Sequence, residues 1–233
     1  MTNLSSSYSP PITTVCLGTG RFLRSVLVPA LLETDECNNI VLIQPRGRSF
    51  VDYCHSRADE ERCMSYEVDT VEYNGKITTA NIGPIRGVMS LGSNDGREAL
   101  LKIIQNRAMS IRMIGVGVTE AGLASSKTSA IRDLTWILCE IYQRRQSLSS
   151  YEEIPKLCVL NTDNVPYNGN VIQSLVLQVI DECHSDTQGF RDWCSREVVF
   201  LNTMVDRITS QREGSGGIVP FTEPCPAKAL VIE

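Results

Sequence analysis

The sequence predicts an α/β fold with a doubly wound, mostly parallel sheet and a β-hairpin insertion. Short apolar runs alternate along the chain with longer segments of helical period, which is the pattern of βαβ units. Between Ser65 and Leu91 this pattern gives way to alternating, β-rich residues around Asn74 and Gly75, a pair typical of hairpin turns. We therefore interpret that stretch as a hairpin inserted into the parallel fold.

The strands of the parallel sheet are predicted from short apolar runs that end at polar or turn-forming residues. Continuous runs of this kind fit strands that are buried on both faces. The predicted strands are Thr13–Leu17, Ile40–Ile43, Ile111–Val118, Leu157–Leu160, Val198–Leu201 and Ala229–Ile232.

Five longer segments carry apolar residues at helical spacing and are predicted to form helices. Pro29 should bend or shorten the first of them, because proline removes an amide donor from the helix interior. The second follows Pro45 and Gly47, which stop the preceding strand, and it begins at Ser49, a candidate N-cap. The predicted helices are Arg21–Glu33, Ser49–Glu61, Asn94–Arg107, Lys127–Arg145 and Val171–Glu182.

Length and charge bound the class of protein. The chain has 233 residues, 42% of them hydrophobic, which suits one large domain or a domain with a small lobe. We expect one dinucleotide-binding domain over residues 12–233 after a disordered tail over residues 1–11. The net charge of −5 argues against a nucleic acid or a membrane as partner, because either would require clustered lysine and arginine. A small-molecule partner is therefore expected.

The nine cysteines are scattered, with neither a C-x-x-C pair nor the spacing of a zinc site or a disulfide framework. Thiols inside apolar runs, such as Cys16 and Cys158, are expected to pack as small hydrophobes. The first residues resemble neither a signal peptide nor a transit peptide. These features predict a cytoplasmic protein without a metal site.

A glycine turn joins the first predicted strand to the first helix. Dinucleotide-binding folds of the Rossmann type place glycine at this turn and at the close approach to the pyrophosphate, beside the amides of a helix N-terminus. Gly18 and Gly20 fit these two roles, whereas the third glycine of the common fingerprint is absent. The turn on its own leaves a nucleotide site and an ordinary glycine-rich turn both open.

The end of the second predicted strand bears on which dinucleotide is bound. NAD enzymes usually carry Asp or Glu there, whose carboxylate accepts the ribose hydroxyls and repels a 2′-phosphate. Gln44 occupies this position, where it can accept a ribose hydrogen bond but cannot repel phosphate. Arg46 and Arg48 could attract that phosphate, or they could simply be solvated loop charges. These residues alone leave NAD and NADP open.

The segment Val198–Ser210, VVFLNTMVDRITS, brings an acid and a guanidinium to the tip of a buried strand. An ordinary strand closed by a local Asp/Arg ion pair would explain the tripeptide VDR alone. The whole segment, however, resembles the fingerprint of the long-chain mannitol dehydrogenases and their sugar-acid relatives. The matching positions here are Phe200, Thr203, Val205–Ile208 and Ser210, and the glycine turn resembles the same family through Gly18, Gly20, Phe22 and Arg24.

The resemblance implies roles for polar residues at two further strand ends. Thr119 and Glu120 match the family's T-E-x-G segment, which lies near the nicotinamide side of the cofactor, and become candidate cofactor contacts. Asn164 matches the asparagine of the C-D-N-x-x-x-N-G segment, which supports the developing alkoxide of the substrate. Thr162 replaces the usual cysteine of that segment, and Asn168 is equally explained as a turn former or helix cap. The candidate catalytic residues are therefore Asn164 and the acid of the VDR core, Asp206.

The resemblance implies the NAD(P)-binding half of an oxidoreductase that interconverts a polyol or aldonate with its ketose or keto-sugar acid. The segment QPRG, residues 44–47, resembles the NAD-linked tagaturonate reductase branch, so NAD is the expected cofactor and NADP the alternative. Family enzymes continue into a helical C-terminal domain whose K-x4-N-x2-H motif carries the catalytic lysine. The sequence lacks this motif, so we expect that domain to be absent and the chain to be inactive alone, although Glu120 or Asp206 could serve as a base in principle.

Two other interpretations stay open at this point. A non-catalytic nucleotide-binding or interaction protein derived from the family would also lack the lysine motif. A methyltransferase could use the glycine turn for its own nucleoside cofactor, but it would leave the VDR and T-E-x-G matches unexplained.

Overall fold

The computed structural model describes residues 11–58, 63–117, 119–148, 154–183, 188–205, 207–224 and 230–232. The strands are β1 Thr14–Leu17, β2 Ile40–Gln44, β3 Met64–Val71, β4 Ile77–Ile85, β5 Gly87–Ser90, β6 Met113–Val116, β7 Leu157–Asn161, β8 Val198–Leu201, β9 Thr203–Val205, β10 Thr209–Gln211, β11 Pro220–Thr222 and β12 Leu230–Ile232. The helices are α1 Val28–Leu32, α2 Ser49–His55, α3 Asn94–Arg107, α4 Ser129–Ser147, α5 Asn168–Glu182 and α6 Gln188–Glu197. A π-helical stretch, Leu23–Leu27, precedes α1, and a 3₁₀ turn, Glu120–Leu123, follows β6.

Six strands form one parallel sheet in the order β5-β2-β1-β6-β7-β8. Counted along the chain within this sheet, the order is 3-2-1-4-5-6, the arrangement of a doubly wound dinucleotide-binding fold. The predicted fold class is therefore confirmed. Its strands read as continuous apolar runs because helices or a second sheet cover both faces.

Alternate residues of each central strand enter different cores. Val15 and Leu17 of β1 face the helices α3, α4 and α5, whereas Cys16 faces the first helix and the hairpin. Burial raises the pKa of the Cys16 thiol to about 12, so it packs as a small neutral hydrophobe. No disulfide links the eight cysteines within the described part of the chain.

The first helix deviates from α-helical geometry just before Pro29. The π-helical stretch Leu23–Leu27 precedes α1, and proline supplies no amide for the carbonyls one turn earlier. Two of those carbonyls accept hydrogen bonds from elsewhere: Arg24 O from the Tyr66 hydroxyl at 2.7 Å, and Ser25 O from Arg207 Nη1 at 3.2 Å. The predicted effect of Pro29 thus takes the form of a widened turn with external partners.

The predicted hairpin forms β3 and β4, with Gly75 at φ +79° in its turn. It is not an isolated ribbon, because β10 and β11 extend it to a second sheet in the order β10-β11-β3-β4. The pairing of β11 with β3 is parallel and joins residues about 150 positions apart, for example Phe221 with Asp69. Such a pairing leaves no local signal in the sequence.

Other predicted elements differ in extent. The helix predicted over Ser49–Glu61 ends earlier, at His55, and the last predicted residues, 59–61, lie outside the described residues. Helix α6 was not predicted, although Phe190, Trp193 and Cys194 are spaced for one buried helical face. The last strand, Leu230–Ile232, pairs antiparallel with β9 and does not join the parallel sheet.

A charged cluster lies on the second sheet. Arg212 donates from Nε and Nη2 to the carboxylate of Asp69 at 2.5 and 2.6 Å, and from Nη1 to Glu67 at 3.0 Å. The Asp69 side chain is 3% exposed and also accepts a hydrogen bond from Thr79 at 2.7 Å. The hydrogen bonds from Arg212 hold the pKa of Asp69 below its ordinary value, against the opposing effect of burial.

This cluster predicts a specific dependence of stability on pH. Because the folded-state pKa of Asp69 is lowered, its contribution is present above the unfolded-state pKa of about 3.9 and is lost as pH falls through the folded-state value. We expect Arg212→Gln to lower the free energy of unfolding by about 1–3 kcal/mol at pH 7, and by progressively less below about pH 4.

Urea denaturation of both proteins between pH 2.5 and 7 measures this effect. The control is Arg48→Gln, whose partner Asp52 is an exposed carboxylate, so the change should stay below about 1 kcal/mol at every pH. A difference between wild type and Arg212→Gln that does not shrink in acid would contradict the assignment.

Candidate functional site

The sheet order reverses between β1 and β6, which lie side by side at its centre. After β1 the chain enters a helix whose Leu23 and Leu27 join the core beneath the hairpin, whereas after β6 it enters α4, whose Leu134 joins the opposite core. The chain thus leaves these two neighbouring strands toward opposite faces of the sheet. In open α/β sheets the carboxyl ends of two such strands border a ligand crevice. The candidate site lies at the ends of β1 and β6, marked by the paired residues Leu17 and Val116.

Gly18 and Gly20 bring the chain close to β6 at this crevice. Gly18 has φ +110°, and a Cβ there would lie 2.5 Å from the carbonyl oxygen of Gly117. A Cβ on Gly20 would lie 3.5 Å from the same oxygen, which is ordinary contact, and Gly20 is exposed. The fold therefore requires Gly18, whereas the surface beside Gly20 is open to a ligand.

Gly117 belongs to the site, but sequence reasoning did not single it out. A Cβ on Gly117 would lie 2.8 Å from Cδ1 of Leu23, so the first helix packs against bare backbone at the end of β6. The available signal was a glycine at the end of a predicted strand, where close backbone approach is common.

The helix after the glycine turn offers amide donors. Its first hydrogen bond runs from Arg24 N to Gly20 O at 3.1 Å, so the amides of Arg21, Phe22 and Leu23 precede the helical pattern. Amides at the positive end of a helix dipole suit an anionic group such as a pyrophosphate. The Phe22 side chain is half-buried at this helix start.

Arg24 ties the glycine turn to the loop before β11. Its guanidinium donates from Nε to Thr19 O at 2.8 Å and from Nη2 to Gly217 O at 3.0 Å. It also donates from Nη1 to Ile218 O and lies 4.6 Å from the ring centroid of Phe50. Burial lowers the pKa of this guanidinium to about 10, which leaves it charged at neutral pH. Arg24 is thus a structural clamp on the turn.

Arg207 of the VDR core also anchors the first helix. It donates from Nε and Nη2 to Glu223 O at 3.1 and 2.8 Å, and from Nη1 to Ser25 O at 3.2 Å. The described contacts of Arg207 are therefore with backbone carbonyls. Asp206, predicted as catalytic, lies outside the described residues.

Gln44, predicted to accept a ribose hydrogen bond, uses its oxygen elsewhere. Oε1 accepts from the amides of Phe50 and Val51, both at 3.2 Å, and so caps the N-terminus of α2. Arg48 occupies the N-cap position predicted for Ser49 and makes no side-chain cap, because Gln44 supplies that hydrogen bonding. Two amides already occupy Oε1, so a cofactor contact through Gln44 would use Nε2.

The two arginines after β2 differ in their partners. Arg48 forms a 3.4 Å ion pair with Asp52 on the exposed face of α2. Arg46 is exposed and donates to the hydroxyl of Ser129 at the start of α4. Within the described residues, Arg46 has no carboxylate partner, which leaves its charge available to an anionic ligand.

Thr119, Glu120 and Asn164 are exposed at neighbouring strand ends. Thr119 and Glu120 begin the 3₁₀ turn after β6, and Asn164 lies in the loop after β7. The backbone N–H of Asn164 donates to Asp163 Oδ1 at 2.8 Å. Burial raises the pKa of Asp163 against the lowering effect of this hydrogen bond, and the Glu120 carboxylate also raises it. The strands that carry these loops, β6 and β7, pair directly in the sheet.

Asn168 is buried and has a structural role. Its Nδ2 donates to Asp163 O at 2.7 Å and to Thr203 O and Oγ1 at 3.1 and 2.8 Å, while its Oδ1 accepts from Thr203 N at 2.9 Å. These bonds fix the loop after β7 against the start of β9. The conformation of the loop that carries Asn164 is thereby set.

Asn161, the last residue of β7, is a further polar residue at these strand ends that sequence reasoning missed. Its side chain is fully buried, and neither amide atom has a hydrogen-bond partner among the described residues. An unpaired buried polar group costs about 1–3 kcal/mol. No contact in the described part of the chain accounts for it.

The two histidines do not join the site. His55 is exposed, with Nε2 3.0 Å from Val88 O, and His184 lies outside the described residues. No group of three or more His, Cys, Asp or Glu side chains suited to a metal ion occurs among the described residues. No helix in the part of the chain that the structure describes is long and apolar enough to cross a membrane.

Substitutions at the two glycines of the turn are predicted to affect stability to different degrees. Gly18→Ala should lower the free energy of unfolding by about 2–3 kcal/mol, because the new Cβ meets the Gly117 carbonyl at a backbone angle that side chains rarely adopt. Gly20→Ala should change it by less than about 1 kcal/mol. Urea denaturation compares the two, and equal losses would show that Gly20 is also required by the fold.

Comparison with known proteins gives a family match and two similar structures. The sequence model of the mannitol dehydrogenase Rossmann domain matches residues 12–223. Mannitol 2-dehydrogenase of Pseudomonas fluorescens, solved as a ternary complex with NAD and D-mannitol, is similar with a TM-score of 0.72 at 19% identity, over 97% of this chain and 50% of that one. A substrate-free D-sorbitol dehydrogenase gives 0.69 at 20% identity, over 91% and 49%.

The chain thus spans about half the length of these structural relatives. Comparison with curated protein sequences gives no match. At these identities the similar structures establish the fold, and the sequence match over most of the chain establishes the family, as the glycine turn and the VDR segment predicted. The chain belongs to the mannitol dehydrogenase family and forms its Rossmann domain.

Proposed function

We propose that the chain is the NAD(H)-binding half of a dehydrogenase that interconverts a polyol or aldonate with its ketose or keto-sugar acid. The observation that carries the proposal is the crevice at the reversal of the parallel sheet, where Gly18, Gly20 and Gly117 leave bare backbone at the ends of β1 and β6. Gly18 and Gly117 let the two strand ends meet backbone to backbone, and the exposed Gly20 leaves the space before the helix N-terminus free of a side chain. That space suits a ligand that must approach the backbone closely.

The pyrophosphate of the dinucleotide binds at the glycine turn. The amides of Arg21, Phe22 and Leu23 precede the first helical hydrogen bond and would donate to the pyrophosphate oxygens. Arg24 does not contact the phosphates, because carbonyls of the turn and of the loop before β11 already accept its hydrogen bonds. Its role is to hold the turn in place.

The adenosine end lies toward β2. Gln44 contacts the ribose through Nε2, since its oxygen caps α2, and it brings no charge that would repel a 2′-phosphate. Arg46 lies on the same side and could neutralise such a phosphate. NAD is the proposed cofactor, supported by the family match and by the NAD complex of the mannitol 2-dehydrogenase. NADP is the alternative that Arg46 permits.

The reactive end lies toward β6 and β7. Thr119 and Glu120 border the nicotinamide side, and Asn164 donates a hydrogen bond to the substrate oxygen that gains or loses a proton. A neutral amide suits that task because it stabilises oxyanion character without a competing protonation equilibrium. When bound, NAD(H) supplies the hydride acceptor or donor. Asp206 remains a proposed catalytic residue on its sequence position alone.

Alcohol oxidation also needs a general base within hydrogen-bond reach of the hydroxyl. Asp163 accepts the backbone N–H of Asn164, and no hydrogen bond or ion pair among the described residues fixes the exposed carboxylate of Glu120. We therefore propose that the base and most of the substrate contacts come from a second domain, corresponding to the half of the longer relatives that this chain does not cover.

Scattered cysteines without a disulfide among the described residues support a reducing, cytoplasmic setting.

The glycine turn predicts a direct binding test. The chain should bind NADH saturably, and Gly20→Val should abolish binding by placing a side chain in the space of the pyrophosphate, with Tm changed by no more than about 3 °C. Nicotinamide fluorescence measures the binding, and NADPH titrated in parallel decides between the two cofactors.

Ala30→Val is the control, since it places the same valine side chain at an exposed position of the first helix outside the turn. Unchanged NADH affinity in Gly20→Val, or no saturable signal from the folded wild type, would refute the cofactor site.

If the general base comes from a second domain, this chain alone should have little dehydrogenase activity. Residues 1–233 alone should not oxidise mannitol, altronate or arabinitol measurably, because general-base assistance typically contributes roughly 10²–10⁴-fold and the second wall of the cleft positions the substrate. Joined to the C-terminal half of a family enzyme, the chain should turn over, and Asn164→Ala should lower kcat by roughly 10²–10³-fold.

The assay follows reduced nicotinamide by absorbance, with Asn106→Ala on the exposed face of α3 as the control. Robust turnover by the chain alone that survives Asn164→Ala would show that both the base and the oxyanion site are misplaced. Cofactor binding without turnover in the joined protein would favour a non-catalytic nucleotide-binding role.

A further inference from the structure

Tyr167 stands out beside the proposed reactive end. Among the described residues it is the one non-glycine residue with positive φ, at φ 54° and ψ 37°, which is the left-handed region. Its side chain is also 68% exposed. A bulky aromatic residue in this backbone conformation is unfavourable, and glycine or asparagine would adopt it more readily.

The neighbouring residues, and not the tyrosine side chain, impose this conformation. Asn168 is held by four hydrogen bonds to Asp163 and Thr203. Gly169 lies so close to β8 that a Cβ would be 2.5 Å from the backbone of Leu201. The chain must therefore turn sharply at position 167 to enter α5, whichever residue stands there.

The Tyr167 side chain contributes little to the fold. It makes no hydrogen bond and no ring contact with any described residue. The fold thus carries an unfavourable residue at a position where a less strained one would serve. Strained residues without a structural role cluster at ligand sites, so Tyr167 is a candidate for contact with a ligand.

The position of Tyr167 indicates which ligand group it meets. It follows Asn164 by three residues, in the loop after β7, on the side of β1 away from β2. A dinucleotide that crosses the sheet reversal with its adenosine toward β2 has its nicotinamide toward β6 and β7. The nicotinamide ring is planar and aromatic, and aromatic rings pack favourably against one another.

We propose that the ring of Tyr167 packs against the nicotinamide end of the bound dinucleotide and orients it beside Asn164. The inference rests on the proposed NAD(H) site and adds to it a positioning residue. A purely structural residue would lose stability when replaced, whereas Tyr167 should lose only ligand affinity.

The test compares NADH with ADP-ribose, which lacks the nicotinamide. Tyr167→Asn should weaken NADH binding by about 2–10-fold, the value of one aromatic contact, and leave ADP-ribose affinity unchanged within about twofold. Its Tm should equal the wild-type value or exceed it by up to about 4 °C, because asparagine relieves the strain. Tyr167→Phe should keep wild-type NADH affinity. The control is Tyr73→Asn, which removes a 90% exposed tyrosine near the hairpin turn.

The two binding measurements distinguish a wrong role for Tyr167 from a wrong cofactor site. Equal weakening of NADH and ADP-ribose, a lower Tm in Tyr167→Asn, unchanged NADH affinity in that variant, or a loss in Tyr167→Phe would each overturn the role of the ring. A folded wild-type chain that binds neither NADH nor ADP-ribose would instead remove the proposed cofactor site, and the inference with it.

Discussion

The close approach of Gly18 to Gly117 is the constraint on which the site depends. With no side chain at either position, the ends of β1 and β6 meet backbone to backbone, and Leu23 packs directly on Gly117. This contact places the N-terminus of the first helix at the reversal of the sheet, where its free amides border the crevice. A Cβ at Gly18 would push these elements apart and displace the N-terminus of the first helix from the end of β6.

Several residues that resemble the family's fingerprint act by holding this arrangement together. Arg24 links the glycine turn to the loop before β11, and Arg207 links the carbonyl of Ser25 to that of Glu223. Both guanidiniums donate to backbone carbonyls and so connect the second sheet to the first helix. Neither of these connections uses a carboxylate side chain. Asn168 does the same for the loop after β7. Much of the fingerprint therefore holds the turn and the loops in place, and ligand contacts are left to the exposed residues nearby.

The exposed residues around the site have few partners among the described residues. Asn164 and Tyr167 are exposed at the carboxyl edge of the sheet, and Arg46 has only a serine hydroxyl as partner. Exposed polar and aromatic groups on loops fixed by a rigid sheet are typical of ligand sites. These exposed groups are therefore available to a ligand.

The sequence by itself determined the parallel fold, the glycine turn and the hairpin, because apolar period, a required positive φ and turn chemistry are local properties that neighbouring residues reveal. It also determined where Asn164, Thr119 and Glu120 would stand, since each follows an apolar strand. Only the tertiary structure decided that Gln44 caps α2, that Arg207 bonds Ser25, and that β11 completes the hairpin sheet. The last two join residues more than 150 positions apart, and a partner at such separation depends on packing that no local pattern encodes.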